Sequence, residues 1–228
     1  MSYCQNQDKL RKLRENTPTI FAPNCWGGIT YHHMGLQFCS PLINMHINHD
    51  EYLRFLSDPS LYLDQELQLS QMYIDDTLER PFPVAKLGDI SLWMNHYHDF
   101  KEAAAIWERR KGRIKWNNLF VMFFDEDPKR VSRFLELPYE HKVCFVPWET
   151  HESGLIPVPY KQIEKLKGYP FWEIVNNLAT GDFILYNDVE LLYGAKFVKT
   201  GNIIREGQVI NKYQGDTKRD TENHKSSN

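Results

Sequence analysis

The chain predicts an α/β fold with a mainly parallel central sheet and flanking helices, a Rossmann-like three-layer arrangement. Three observations carry this. Leu119–Phe124 is a continuous apolar run of strand length, the pattern of a strand buried on both faces. Asp127-Pro128 follows it as a cap and first helical residue, and Val131, Phe134 and Leu135 give that helix an apolar stripe. Pro138 ends the helix, and Val143-Cys144-Phe145-Val146 reads as the next strand. A strand–helix–strand unit of this length suits a right-handed parallel crossover.

The other elements follow in chain order. Residues up to about Asn16 are polar and charged, with a frayed helix expected near Leu10 to Leu13. Thr19-Ile20-Phe21-Ala22 reads as a short buried strand, and Ile29 to Leu36 as the start of a helix. Asp50 to Leu56 reads as a helix, and Ile90 to Tyr97 as a strand or the start of a helix. Asp99 followed by Glu102 is a capping pattern ahead of strong helix formers, with Phe100, Ala103, Ala104 and Trp107 on one face. Tyr169 to Val175 opens a further helix and Phe183 to Tyr186 is strand-like. No linker or repeat divides the chain. A polar segment 1–17, one α/β domain over 18–211 and a disordered tail over 212–228 are expected.

Composition narrows the functional classes. In 228 residues the formal net charge is −3, which argues against general nucleic-acid binding. No apolar stretch reaches the length of a transmembrane helix, and the N-terminus lacks signal-peptide features. Cys4, Cys25, Cys39 and Cys144 are too scattered for a disulfide framework. A reduced, cytoplasmic protein is expected.

The most informative stretch is Asn24-Cys25-Trp26-Gly27-Gly28, a thiol between a strand and a helix. Doubly wound folds expose nucleophiles or anion sites at such turns. The glycines allow φ > 0 or close ligand approach, and helix N-terminal amides would lower the thiol pKa and hold an oxyanion. The alternative is a small buried cysteine in a packed Trp-Gly-Gly turn. A nucleophilic thiol needs a base and an orienting group. His96 is the candidate base, and Asp89 the residue that orients it or contacts substrate. Asn24, Trp26, Gly27 and Gly28 are candidate substrate-binding positions.

Arg109, Arg110 and Arg113 belong to a basic cluster at a helix C-terminus, where the dipole alone favours cations. The functional alternative is bidentate binding of a phosphate-bearing donor such as coenzyme A or a nucleotide-sugar. Asp125-Glu126-Asp127 after an apolar strand is similar to the metal-binding edge of nucleotide-sugar glycosyltransferases, although Asp127 already serves as a helix cap. His32-His33 and His46-x-x-His49 lack zinc-site context, so no metal site is assigned.

Several segments, in order, resemble a bacterial family labelled exopolysaccharide or capsular polysaccharide biosynthesis proteins. They are Asn24 to Gly28, Ser40-Pro41, Pro83 to Ile90, His96-Tyr97, the Glu102 to Arg110 helix, and Arg113-Ile114 with Asn117 to Val121. The resemblance covers about residues 18–150. Ala85 departs from it, standing where the family pattern would have glycine in a turn. The resemblance implies a polysaccharide pathway and a sugar precursor as substrate. The chemistry comes from the residues: a group transferase working through Cys25, a metal-dependent glycosyltransferase using Asp125 and Asp127, or a non-catalytic binding protein of an assembly complex.

Overall fold

The computed structural model describes residues 3–74, 80–162, 166 and 168–178. Helix α1 (Tyr3–Glu15) leads into β1 (Thr19–Phe21), then α2 (Trp26–His33), α3 (His49–Ser57) and α4 (Pro59–Leu63). Strands β2 (Gln68–Ile74), β3 (Pro81–Leu87) and β4 (Ile90–Trp93) come next, followed by α5 (Phe100–Lys111) and β5 (Leu119–Phe124). The described part closes with α6 (Pro128–Leu135), β6 (Lys142–Val146), β7 (Leu155–Pro157) and α7 (Phe171–Leu178).

The expected parallel sheet is present, ordered β1-β5-β6-β7 with every described pairing parallel. Strand β5 alternates its side chains between two cores, which is why it reads as continuously apolar. Phe120, Met122 and Phe124 pack with Trp26 of α2 and Ile174 of α7. Val121 and Phe123 pack with Phe55 of α3, Trp107 of α5 and Phe134 of α6. The caps form as the sequence suggests: Asp99 accepts from the Glu102 amide and Asp127 from the Lys129 amide.

A second sheet was not anticipated. Strands β2-β3-β4 form an antiparallel meander: β4 falls within Ile90 to Tyr97, where a strand or helix start was expected, and β2 and β3 precede it in residues given no element. Gly88 (φ +62°) lies first in the two-residue turn joining Leu87 to Ile90, the place where hairpins favour glycine. Ala85 lies mid-strand in β3, paired with Leu69 and Leu92, so its local backbone is not a turn. The N-terminal segment is also more than polar fray: α1 forms, and Leu13 is buried in the core. The strand expected at Phe183–Tyr186 and the tail over 212–228 lie outside the described residues.

The two sheets share one apolar core, and the backbone of His46-Ile47 links them directly. The His46 and Trp93 backbones exchange both N–H···O bonds, at 2.8 and 2.9 Å. The next amide, Ile47 N–H, donates to the Pro23 carbonyl at 2.9 Å. His46-Ile47 therefore ties the end of β4 to the extension of β1, and through it the antiparallel sheet to the parallel one.

Candidate active site

Cys25 lies at the carboxyl edge of the parallel sheet, as the N-cap residue of α2 (φ −68°, ψ −12°). Ligands bind at this edge in parallel α/β sheets because loops and helix N-termini converge there. The helix begins three residues earlier than the sequence suggested. Gly27 and Gly28 also have ordinary φ, so neither supplies a left-handed turn. Their small size serves packing instead. A Cβ on Gly27 would meet the Ala22 Cβ at 3.3 Å, and one on Gly28 would meet Ile43 Cγ2 at 3.0 Å. Trp26 is fully buried and stacks on Phe120, with ring centroids 6.1 Å apart, so it is a core anchor.

The decisive contact is between Cys25 Sγ and His96 Nε2, 3.2 Å apart and contributed by segments 71 residues apart in the chain. The bridge explains the meeting. Pro23 and Trp93 are both held by His46-Ile47, and Cys25 and His96 follow them by two and three residues. Burial pushes the thiol pKa up, while burial and the nearby Arg80 push that of the imidazole down. Both shifts favour the neutral thiol and neutral imidazole over an ion pair. This corrects the expectation that α2 would depress the thiol pKa: the helix has eight residues, and no amide bonds to the cap side chain. A neutral thiol–imidazole pair can react by general-base catalysis, in which the imidazole takes the proton as sulfur attacks. The N-terminal amides of α2 beside the sulfur are the natural place for a developing oxyanion.

Asp89 does not join this pair. It lies in the β3–β4 turn, at the opposite end of β4 from His96. One carboxylate oxygen accepts from the Tyr62 hydroxyl at 2.7 Å, and the other pairs with Arg54 Nε at 3.1 Å. Among the described residues no carboxylate bonds to His96.

Asn24 is 4% exposed, and its Oδ1 accepts from the Trp26 amide at 3.2 Å, shaping the turn into α2. The basic cluster also points inward. Arg110 is buried, donates to the Tyr97 hydroxyl and the Ile43 carbonyl, and lies 5.1 Å from the Phe38 ring centre. Arg113 donates to the Phe38 carbonyl at 3.3 Å. These two tie down the 38–43 loop, which leaves Arg109 as the exposed member of the three.

Asp125 is 2% exposed and fully engaged. It accepts from His49 Nδ1 at 2.7 Å, from Arg130 Nε and Nη2 at 2.6 and 2.9 Å, and from the Asp127 amide at 2.8 Å. Burial alone would raise its pKa, but these donors outweigh it and hold the carboxyl far below the usual range. Asp127 caps α6 and pairs with Arg130. Among the described residues no three His, Cys, Asp or Glu side chains form a metal-holding group. Among them, too, no helix is long and apolar enough to cross a membrane.

Comparison with known proteins places the chain in a family. The family described as Domain of unknown function (DUF1919) matches residues 1–186, which includes both dyad residues and all seven described strands. The chain belongs to the DUF1919 family. It is also similar to an uncharacterised protein of Haemophilus influenzae, with 33% identity over 168 residues, spanning 72% of this chain and 75% of that protein.

Proposed function

We propose that this DUF1919 protein is a thiol-dependent group transferase that carries an acyl group through Cys25. The observation behind this reading is the 3.2 Å approach of His96 Nε2 to Cys25 Sγ at the carboxyl edge of a parallel sheet. A buried structural cysteine needs no imidazole partner, and Cys39 and Cys144 are both buried without one. In this reading His96 is the base, and the first amides of α2, around Gly27 and Gly28, receive the oxyanion. Asp89, Arg110 and Arg113 contribute to folding, and Arg109 remains the candidate contact for donor phosphate.

The substrate side of the proposal is a sugar precursor of surface polysaccharide as acceptor, with an acyl-coenzyme A thioester as the acyl donor, handled in the cytoplasm. It is supported by the ordered segments that resemble polysaccharide biosynthesis proteins. The parallel sheet with cores on both faces suits a Rossmann-like three-layer site for such a donor.

The test is a thermal-shift screen of acyl-coenzyme A thioesters and nucleotide-sugars, followed by intact-mass analysis of the stabilised mixtures. An acyl adduct that maps to Cys25 and is lost in Cys25→Ala supports the proposal. Transfer activity that survives in Cys25→Ala overturns it.

A further inference from the structure

A second imidazole stands at the same sheet edge, and the dyad does not use it. β1 and β5 pair in parallel as far as Phe21 and Val121, so the segment leading to Cys25 and the β5 end leading to Asp125 leave neighbouring strands at their carboxyl ends. His49 crosses the end of β5, its ring edge-on to Phe123 and Phe124 with centroids 5.2 and 4.7 Å away. Ile47 N–H donates to the Pro23 carbonyl at 2.9 Å, so Cys25 and His49 each follow this backbone bond by two residues.

The orientation of His49 is set. Asp125 accepts from Nδ1 at 2.7 Å, so Nδ1 carries the proton of that bond and Nε2 is the nitrogen that remains for a substrate. Asp125 is in turn fixed by the Arg130 guanidinium. A carboxylate holding an imidazole in one tautomer, with the second nitrogen free, is the arrangement of a general base. Its partners are protein groups throughout, and it does not touch the Cys25 thiol.

Resting on the reading of Cys25 as the acyl carrier, we infer that His49 is a catalytic base for the second half of the transfer, and that the acceptor is therefore a hydroxyl group. In the first half, His96 Nε2 takes the Cys25 proton as Sγ bonds to the acyl carbon, and returns it to the departing donor group. In the second half, the acceptor hydroxyl gives its proton to His49 Nε2 as its oxygen bonds to the thioester carbon. The carbon–sulfur bond breaks, its electron pair returns to sulfur, and the thiolate regains a proton released by His49. A hydroxyl needs such a base because its own pKa is far above neutrality. Asp125 acts as a positioning residue.

The test uses the full chain with p-nitrophenyl acetate as donor and methyl glucoside as acceptor. The variant is His49→Asn, whose side-chain amide can still donate to Asp125 while Nε2 is gone. The expected result is an undiminished p-nitrophenol burst and acetyl-Cys25, with transfer to methyl glucoside slowed about 100-fold. Attack by hydroxylamine, which needs no base, should proceed as in the unaltered protein. Transfer to methyl glucoside at an unchanged rate in His49→Asn overturns the inference. The unaltered protein gives a second measurement: its deacylation by methyl glucoside should slow in deuterium oxide, and the absence of any slowing also overturns the inference. Absence of acetyl-Cys25 in the unaltered protein would instead remove the underlying reading of Cys25.

Discussion

Arg110 donates through Nη1 to the Tyr97 hydroxyl at 2.8 Å, and both side chains are buried beneath the turn that carries His96. The Ile43 carbonyl accepts from both of them, at 3.2 Å from Tyr97 and 3.3 Å from Arg110. One cation thus fixes the base-bearing turn against the loop that packs on Gly28. Arg110→Met keeps much of the volume but removes these bonds and the contact with Phe38. It should cost about 2 kcal/mol in urea unfolding. Arg109→Met, on the exposed side of the same helix, should stay within about 0.5 kcal/mol.

The neutral character of the dyad is open to direct measurement. The Cys25 thiol is held above its ordinary value of 9.0 by burial, so its alkylation by iodoacetamide should keep accelerating as pH rises past that point. A plateau below about pH 8 would mean a preformed thiolate and would remove the general-base account. Cys39 and Cys144 are buried and should stay unmodified in the folded chain.

Acid should act through Asp125. Its carboxyl is depressed in the folded chain, so between the folded and unfolded pKa values the unfolded chain binds the extra proton. Its contribution to stability is therefore complete above the unfolded carboxylate range, near pH 4, and fades as pH falls toward the folded value. Asp125→Asn should unfold about 3 kcal/mol more easily at neutral pH, since His49 and Arg130 lose a buried partner. The variant should also show a flatter loss of stability on acidification. Equilibrium unfolding at a series of pH values checks both.

Two glycines in helical conformation should respond in opposite ways. Gly28→Ala places a Cβ 3.0 Å from Ile43 Cγ2 in a packed core, and should cost about 1–3 kcal/mol. Gly112 ends α5 with φ −66°, and the nearest atoms to an added Cβ are carbonyl oxygens at 3.7 Å or more. Gly112→Ala should therefore be neutral or stabilise by about 0.5 kcal/mol. Thermal unfolding of the two variants separates the effects.

Legibility in the sequence followed local physics. Leu119–Phe124 could be read because a strand covered on both faces leaves no polar position, and α5 and α6 because Asp99 and Asp127 mark their first turns. Cys25 and His96 could be named as candidates, since a thiol at a strand–helix junction calls for an imidazole. Their separation could not be known, because it depends on a bridge between sheets. Strand β2 escaped notice because every residue from Gln68 to Ile74 is exposed, so no alternation marks it. Arg110 reads as one of several surface cations, and only the tertiary fold turns it inward. Asp89 was drawn to His96 by proximity along the chain, yet a hairpin strand carries the two apart. The link from His49 to Asp125 spans 76 residues and leaves no local trace. The signal within reach was the His46-x-x-His49 pair, set aside because it lacked zinc spacing.

The His46-Ile47 bridge decides whether the Cys25–His96 pair exists at all. The sulfur belongs to the parallel sheet and its imidazole to the antiparallel one, and a single two-residue splice brings them into register. Neither sheet alone holds both members of the pair. A chain with this splice undone would hold the thiol and the imidazole apart, so the 3.2 Å contact between Cys25 and His96 depends on the join between the sheets.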